Sequence, residues 1–340
     1  MIYTGYSFIA GAGRPGRRQF STRRFNMLTL ALLSAVAMAA MPSQAPAGKD
    51  LSWAFPAKVE LNRPPIQEEP GPKRLPGSTK TYTEEQIDNL SNPPDWYPEE
   101  HGPAPRVVQD GRLNKGFACG SCHLSSGQGH PESSDLAGLP AEYIVRQMAD
   151  LRSGARKEPI RMAAIAQATS EEDTRQAAEW FASLKPSAAW IKLIETDTVP
   201  KTYLGPGRMR FAHPDGGREP IGNRIIMVPQ DVARARLRDP HSGFIAYAPV
   251  GSMARGEALA TTGGSGRSVA CDICHGEGLR GLGNVPRLAG IHPIYLVRQL
   301  YNFQTGASAG KDAELMTRVV AKLSDEDIVA LAAYAAAQAP

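Results

Sequence analysis

The first 47 residues contain no acidic residue and no lysine, although they hold five arginines: Arg14, Arg17, Arg18, Arg23 and Arg24. Nor does the chain have a long apolar run behind them. The stretch from Met27 to Ala40 falls short of the roughly 20 residues that a spanning helix needs, which argues against a retained membrane anchor. A basic start, a short apolar core and small residues at Ala37-Met38-Ala39 and Ala45-Pro46-Ala47 are the parts of a cleaved secretory signal. Also missing is any stripe of basic residues interleaved with aromatics. Without the five signal arginines, 33 basic residues face 34 acidic ones, a net charge near −1, so nucleic acid is not an expected partner. Cysteine is scarce too: only four occur, all in the mature region, as two pairs with two residues between the members of each.

What is present is a 340-residue chain with 42% hydrophobic residues, enough for two ordinary cores. Its 28 prolines and 33 glycines concentrate in particular stretches, which predicts small domains joined by long irregular arms. The expected organisation is a signal over 1–47, a proline-rich leader over 48–105 and a first domain over 106–186. An arm over 187–250 and a second domain over 251–340 complete it. The leader is expected to wrap the first domain, with Trp53, Phe55, Trp96 and Tyr97 as packing anchors. The arm is expected to lie across one or both domains, with short strands.

Each cysteine pair is followed at once by histidine, in Cys119-Gly120-Ser121-Cys122-His123 and Cys271-Asp272-Ile273-Cys274-His275. This is the spacing for covalent attachment of c-type haem: two thiols on one helical turn reach two vinyl groups, and the histidine turns inward to the iron. A thioredoxin-like pair would need a strand and helix framework around a single motif, and a zinc site would need both pairs to converge on one metal. The motif also lies within a wider repeat. At an offset of 152 residues, Leu136-Ala137-Gly138 falls on Leu288-Ala289-Gly290, and Tyr143-Ile144-Val145-Arg146-Gln147 falls on Tyr295-Leu296-Val297-Arg298-Gln299. Beyond Gly154 and Gly306 the offset becomes 154, placing Met162 on Met316, Ser170 on Ser324, Asp173 on Asp327 and Trp180 on Tyr334.

Haem iron held by histidine on one face takes a second ligand on the other, and a methionine thioether is a soft ligand that raises the potential. Of ten methionines, Met162 and Met316 are the pair that stays methionine in both copies after the motif, each expected in an irregular stretch between two helices. Met148 pairs with Leu300 and reads as core. His130 and His292 fall on Leu282 and Pro140, which excludes a ligand role shared by both copies. Helices are expected over 141–152 and 293–304. Ser170 and Ser324, each with an aspartate three positions on, should cap the last helix of each half. Arg146 and Arg298 are expected to bond a carbonyl or a propionate, or else to lie solvated.

The combination of Cys-x-x-Cys-His, Leu-Ala-Gly, Tyr-x-x-Arg-Gln, and a methionine shortly before Ser-x-x-Asp, twice over, resembles the diheme class I cytochromes c of the cytochrome c4 type. The resemblance implies a mainly α fold of two tandem class I cytochrome c domains, each a small helical fold around a covalent haem. It also implies two c-type haems, His/Met ligation by His123 with Met162 and His275 with Met316, and electron carriage in the periplasm. Attachment outside the cytoplasm needs an unfolded chain, so general secretion is expected even though Arg17-Arg18-Gln19-Phe20 resembles part of a twin-arginine signal. In this family a proline carbonyl accepts the proximal histidine's hydrogen bond. Pro286 fits, whereas the aligned residue in the first copy is Ser134, with Pro131 nearby. Redox proteins such as a periplasmic dehydrogenase and a terminal oxidase are the expected partners, with membrane contact only through them. The protein is read as an electron carrier rather than an enzyme; the alternative is a catalytic diheme protein such as a cytochrome c peroxidase. A haem-based sensor would need an output domain, for which no region stands out.

Overall fold

The computed structural model describes residues 49–56, 71–111, 116–158 and 161–340, so the expected signal over 1–47 lies outside the described residues. Short helices come first: α1 (Glu84–Asp88), capped by Thr83, α2 (Arg106–Gln109) and α3 (Gly120–His123), which carries the first motif. Then come α4 (Ala141–Ser153), α5 (Met162–Ala168) and α6 (Glu171–Ser183). The second half repeats them after α7 (Val232–Arg236) in the arm. It has α8 (Ser252–Thr262), the motif helix α9 (Asp272–His275), α10 (Pro293–Gln304), α11 (Ala313–Val320) and α12 (Asp325–Ala337). The fold is mainly α, and no helix among the described residues is long and apolar enough to cross a membrane.

Local chemistry sets these ends. Gly154 closes α4 at φ 80°, a left-handed position that glycine adopts without strain. Ser170 and Ser324 cap α6 and α12, their hydroxyls accepting the N–H of Asp173 and Asp327. The first and second halves differ in the helix that precedes the motif. It is a single turn in α2 but three turns in α8, which crosses α12 at Gly256. A Cβ there would stand 2.3 Å from the Ala330 carbonyl oxygen, so the crossing requires glycine.

The arm is not irregular. Strand β1 (Ile191–Glu195) lies parallel to β7 (Phe244–Ala248), which pairs antiparallel with β6 (Ile226–Pro229), in the order β1-β7-β6. Two ribbons, β2 (Thr198–Pro200) with β5 (Arg218–Pro220) and β3 (Thr202–Leu204) with β4 (Arg210–Ala212), lie between them. Phe244, Ala246 and Ala248 alternate inward along β7 and join one core with Ile328, Val329 and Ala332 of α12. The arm therefore belongs to the packing of the second half, and Arg238 at its far side reaches back to the Ser121 carbonyl of the first motif.

The leader divides. Trp53 and Ala54 sit in the core of the second half, Phe55 meets Tyr301 at 6.4 Å and Lys49 pairs with Asp325. Of the described leader residues, the later ones lie against the first half, where Ala118 N–H donates to the Leu90 carbonyl and Gly111 N–H to that of Ser91. The expectation of a leader wrapped on the first half is corrected accordingly: an apolar Trp-Ala-Phe segment buries where apolar surface is available, and that surface is the larger core. Trp96 and Tyr97 build a small cluster of their own with Leu75 and Ile87.

Candidate haem-binding site

Each motif forms one helical turn, with the histidine N–H donating to the carbonyl of the first cysteine, at 3.0 Å in the first copy and 2.9 Å in the second. The chain then leaves the turn in the same conformation twice. Gly276 holds φ 76° and ψ 164°, and Leu124 holds φ 61° and ψ 161°, a region that is essentially glycine's. Leu124 is retained there by burial, since its side chain packs into the larger core.

The loops that follow match bond for bond. Gly129 N–H donates to the His123 carbonyl and Gly281 N–H to that of His275. Leu136 and Ala137 N–H converge on the Gly127 carbonyl as Leu288 and Ala289 do on that of Leu279. The loops bring one carbonyl to each imidazole: His123 Nδ1 lies 2.8 Å from the Ser134 oxygen and His275 Nδ1 lies 2.8 Å from the Pro286 oxygen. A carbonyl only accepts, so each Nδ1 carries the proton and each Nε2 keeps its lone pair. Burial pushes both imidazoles below the usual histidine range, against a backbone bond that raises them, so both are neutral. Ser134 does in the first copy what Pro286 does in the second. The acceptor is a main-chain oxygen, and no proline ring is needed to present it.

Both motifs open on one cavity of about 1650 Å³, whose wall includes His123, His275, Met148, Met162 and Met316. Ordinary ligand pockets measure roughly 300–1,000 Å³. The two methionines do not stand in irregular stretches. Met162 is the first residue of α5, its N–H bonded to Glu158 Oε2 at 2.7 Å, and Met316 lies within α11. A helix presents the side chain by its facing direction, as a loop would by its course. No disulfide joins any of the four cysteines, and burial pushes the Cys271 thiol up to about 11. Among the described residues no group of three or more His, Cys, Asp or Glu side chains converges to hold a metal, so the two cysteine pairs do not meet at one zinc centre.

Two other histidines are engaged elsewhere. His292 Nε2 accepts from Trp190 Nε1 at 3.2 Å, and His101 lies 3.3 Å from Asp95. His130 lines the cavity with Ser133 Oγ at 3.3 Å from its Nε2, and burial drives its imidazole down to about 3. Arg146 and Arg298 each reach across the repeat, one to a carbonyl and the other to a carboxylate. Arg146 donates to the Asn284 oxygen at 3.2 Å, and Arg298 donates to the Ala54 oxygen and to both oxygens of Glu132, the position equivalent to Asn284. Arg156 donates to Gln147 at 2.7 Å and to Gln299 at 3.0 Å, the same residue of the two copies. Sequence reasoning missed Arg156, which has no counterpart in the repeat, and Arg238 of the arm, for which no sequence signal existed.

The donor set fits two c-type haems. Each copy offers two thiols on one turn, a neutral imidazole with its inner nitrogen free, and a thioether on the wall of the same cavity. No family model matches the chain. Cytochrome c4 of Pseudomonas aeruginosa is 25% identical over 225 residues, 65% of this chain and 83% of that protein. The thiosulfate dehydrogenase electron acceptor of Thiomonas intermedia is 26% identical over 226 residues, 65% of this chain and 78% of that protein. Cytochrome c-554(548) of Halomonas halodenitrificans is 39% identical over 69 residues, 20% of this chain and 83% of that protein. The chain belongs to the cytochromes c, and its likeness over both halves is to the cytochrome c4-like diheme class, whose members are electron carriers with two covalently bound haems.

Proposed function

We propose that the chain passes single electrons from a periplasmic dehydrogenase or other donor to a terminal oxidase or other acceptor, through two His/Met-ligated haems. The observation that carries this reading is the repeated donor set: His123 with Met162 and His275 with Met316, all four on one cavity wall. In this reading Cys119, Cys122, Cys271 and Cys274 form the thioethers, within domains at 106–186 and 251–340. The leader at 48–105 and the arm at 187–250 complete the mature chain after a signal at 1–47 is removed in the periplasm. Bound haem iron supplies a reversible one-electron couple.

The chain's own residues set the conditions for it. The Ser134 and Pro286 carbonyls fix the ring orientation and basicity of the two imidazoles. The thioethers of Met162 and Met316 would serve as second ligands to the two irons, soft donors that would favour the reduced state and leave no ligand position for a substrate. Leu139, Ile144 and Phe181, with their counterparts Ile291, Leu296 and Ala335, line the cavity with apolar side chains that disfavour water. A dehydrogenase as donor is supported by the relative that serves thiosulfate dehydrogenase as electron acceptor.

The test is the exported holoprotein. Its mass should exceed that of the mature chain by two haems, and its optical spectrum should show two low-spin His/Met irons that resist cyanide. Absence of the two adducts would overturn the haem reading. A high-spin ferric iron that binds cyanide or peroxide would replace electron carriage with a catalytic, peroxidase-like role.

A further inference from the structure

Positions 135 and 287 are equivalent in the repeat, yet one is aspartate and the other arginine, and they meet. Both side chains are buried, and Arg287 Nη2 donates to Asp135 Oδ1 at 2.7 Å. The rest of the guanidinium is shared between equivalent carbonyls. It donates to the Ala137 oxygen at 3.0 and 3.3 Å and to the Ala289 oxygen at 2.6 Å. Asp135 Oδ1 also accepts the Ala137 N–H at 3.0 Å. The pair thus stands where the two repeated loops face each other and ties them together.

What those loops carry gives the pair its consequence. Asp135 follows Ser134, whose carbonyl accepts from His123, and Arg287 follows Pro286, whose carbonyl accepts from His275. Only one peptide link separates each member of the pair from the oxygen that orients an imidazole. A buried ion pair gives little net stability over well-packed apolar residues, so stability alone does not account for it. The partner of an imidazole N–H, by contrast, tunes the ligand strength of the other nitrogen.

Resting on the reading that His123 and His275 bind iron, we propose that Asp135 and Arg287 are positioning residues that couple the two histidine sites. The pair holds the Ser134 and Pro286 carbonyls in one frame, so a displacement of either loop changes the hydrogen bond at both imidazoles. The two reduction potentials then form one coupled system.

The experiment uses full-length holoprotein with Asp135→Asn or Arg287→Gln, at pH 8, above the value of about 6 to which burial pushes the Asp135 carboxyl. Mass and optical spectra first establish two attached, histidine-ligated haems in each variant. Failure at that stage, in the parent as well, faults the haem reading and not the coupling. Potentiometric titration then reads both irons. Each single replacement should move both potentials, changing the reduction equilibrium of the haem in the unsubstituted half about tenfold, or about 59 mV for one electron. The charge exchange Asp135→Arg with Arg287→Asp should bring both back towards the parent. A shift confined to the substituted half, or no shift, overturns the proposal.

Should the single variants fail to fold, the apolar replacement Asp135→Leu with Arg287→Met removes both charges together. In the parent, Met162→Ala should move the potential of the second haem as well as the first. In the apolar background it should move the first alone. An equal response of the second haem in both backgrounds also overturns the coupling.

Discussion

The two haem motifs carry the same chemistry but are covered differently. At the first, Arg161 lies over the Phe117 ring at 5.1 Å, and Ser121 is 1% exposed beneath Arg238 of the arm. The equivalent positions of the second are Leu315, Val269 and Ile273, which are 70%, 50% and 66% exposed. One site is roofed by the chain's own leader and arm, and the other presents an apolar rim to the outside. A duplicated donor set therefore does not make two equivalent sites. The second motif is open to the outside, and the first lies beneath the arm.

Removing the roof should abolish that difference. Trp96 is fully buried, meets Tyr82 edge-on at 4.8 Å and donates from Nε1 to the Leu237 carbonyl at 2.6 Å, one residue before Arg238. Trp96→Ala should cost about 3–5 kcal/mol locally, the usual loss for a large buried aromatic. Hydrogen exchange should accelerate at residues 116–123 and 237–239 while residues 271–275 stay protected. Equal acceleration at both motifs would show that the cover is not held by this anchor.

The second difference lies behind the motifs. In the second half α8 crosses α12 at Gly256, and an added Cβ would meet the Ala330 oxygen at 2.3 Å and the Tyr334 Cβ at 2.5 Å. In the first half the equivalent position is Ala104, ahead of the single turn of α2. Gly256→Val should lower stability by about 1–3 kcal/mol through overpacking, and Ala104→Val by much less. Thermal unfolding of the two holoprotein variants checks the ranking, and equal losses would contradict the packing difference.

Much of this was legible from the sequence because it repeats. The repeat, at an offset of 152 residues and then of 154, located α4 with α10, both caps, both motifs and the methionine pair, since each depends on local residue types at fixed spacing. The carbonyl at Ser134 was left open because a main-chain acceptor has no side-chain signature. The sheet of the arm was only partly visible: short strands were expected there, but the partners of Ile226–Pro229 lie in a distant segment. Trp53 and Phe55 were assigned to the nearer half because sequence distance says nothing about which core has room. The Asp135–Arg287 contact stood in the alignment as opposite charges at one position, and only the fold shows that the two positions touch.

The smallest expected difference is at the last helices. Ser170 accepts the Asp173 N–H at 3.0 Å, and Ser324 accepts that of Asp327 at 3.2 Å. In the second half Ser324 N–H also donates to Asp327 Oδ2 at 3.0 Å, and Arg255 and Arg267 lie at 2.8 and 3.4 Å from the same buried carboxylate. Ser170→Ala should cost about 1 kcal/mol and Ser324→Ala nearer the upper end of the capping range, about 2 kcal/mol. Burial works against ionisation of Asp327, but the Ser324 N–H and the Arg255 guanidinium outweigh it and hold the carboxyl below its ordinary value of 3.8. A folded-state value below the unfolded one means that the ionised form stabilises the fold fully above 3.8, and that this is lost as the pH falls through the folded value. Asp327→Asn should accordingly unfold earlier than the parent at pH 7, and the gap should close on acidification below 3.8. A gap that persists unchanged in acid would mean that the second cap acts through shape and not through charge.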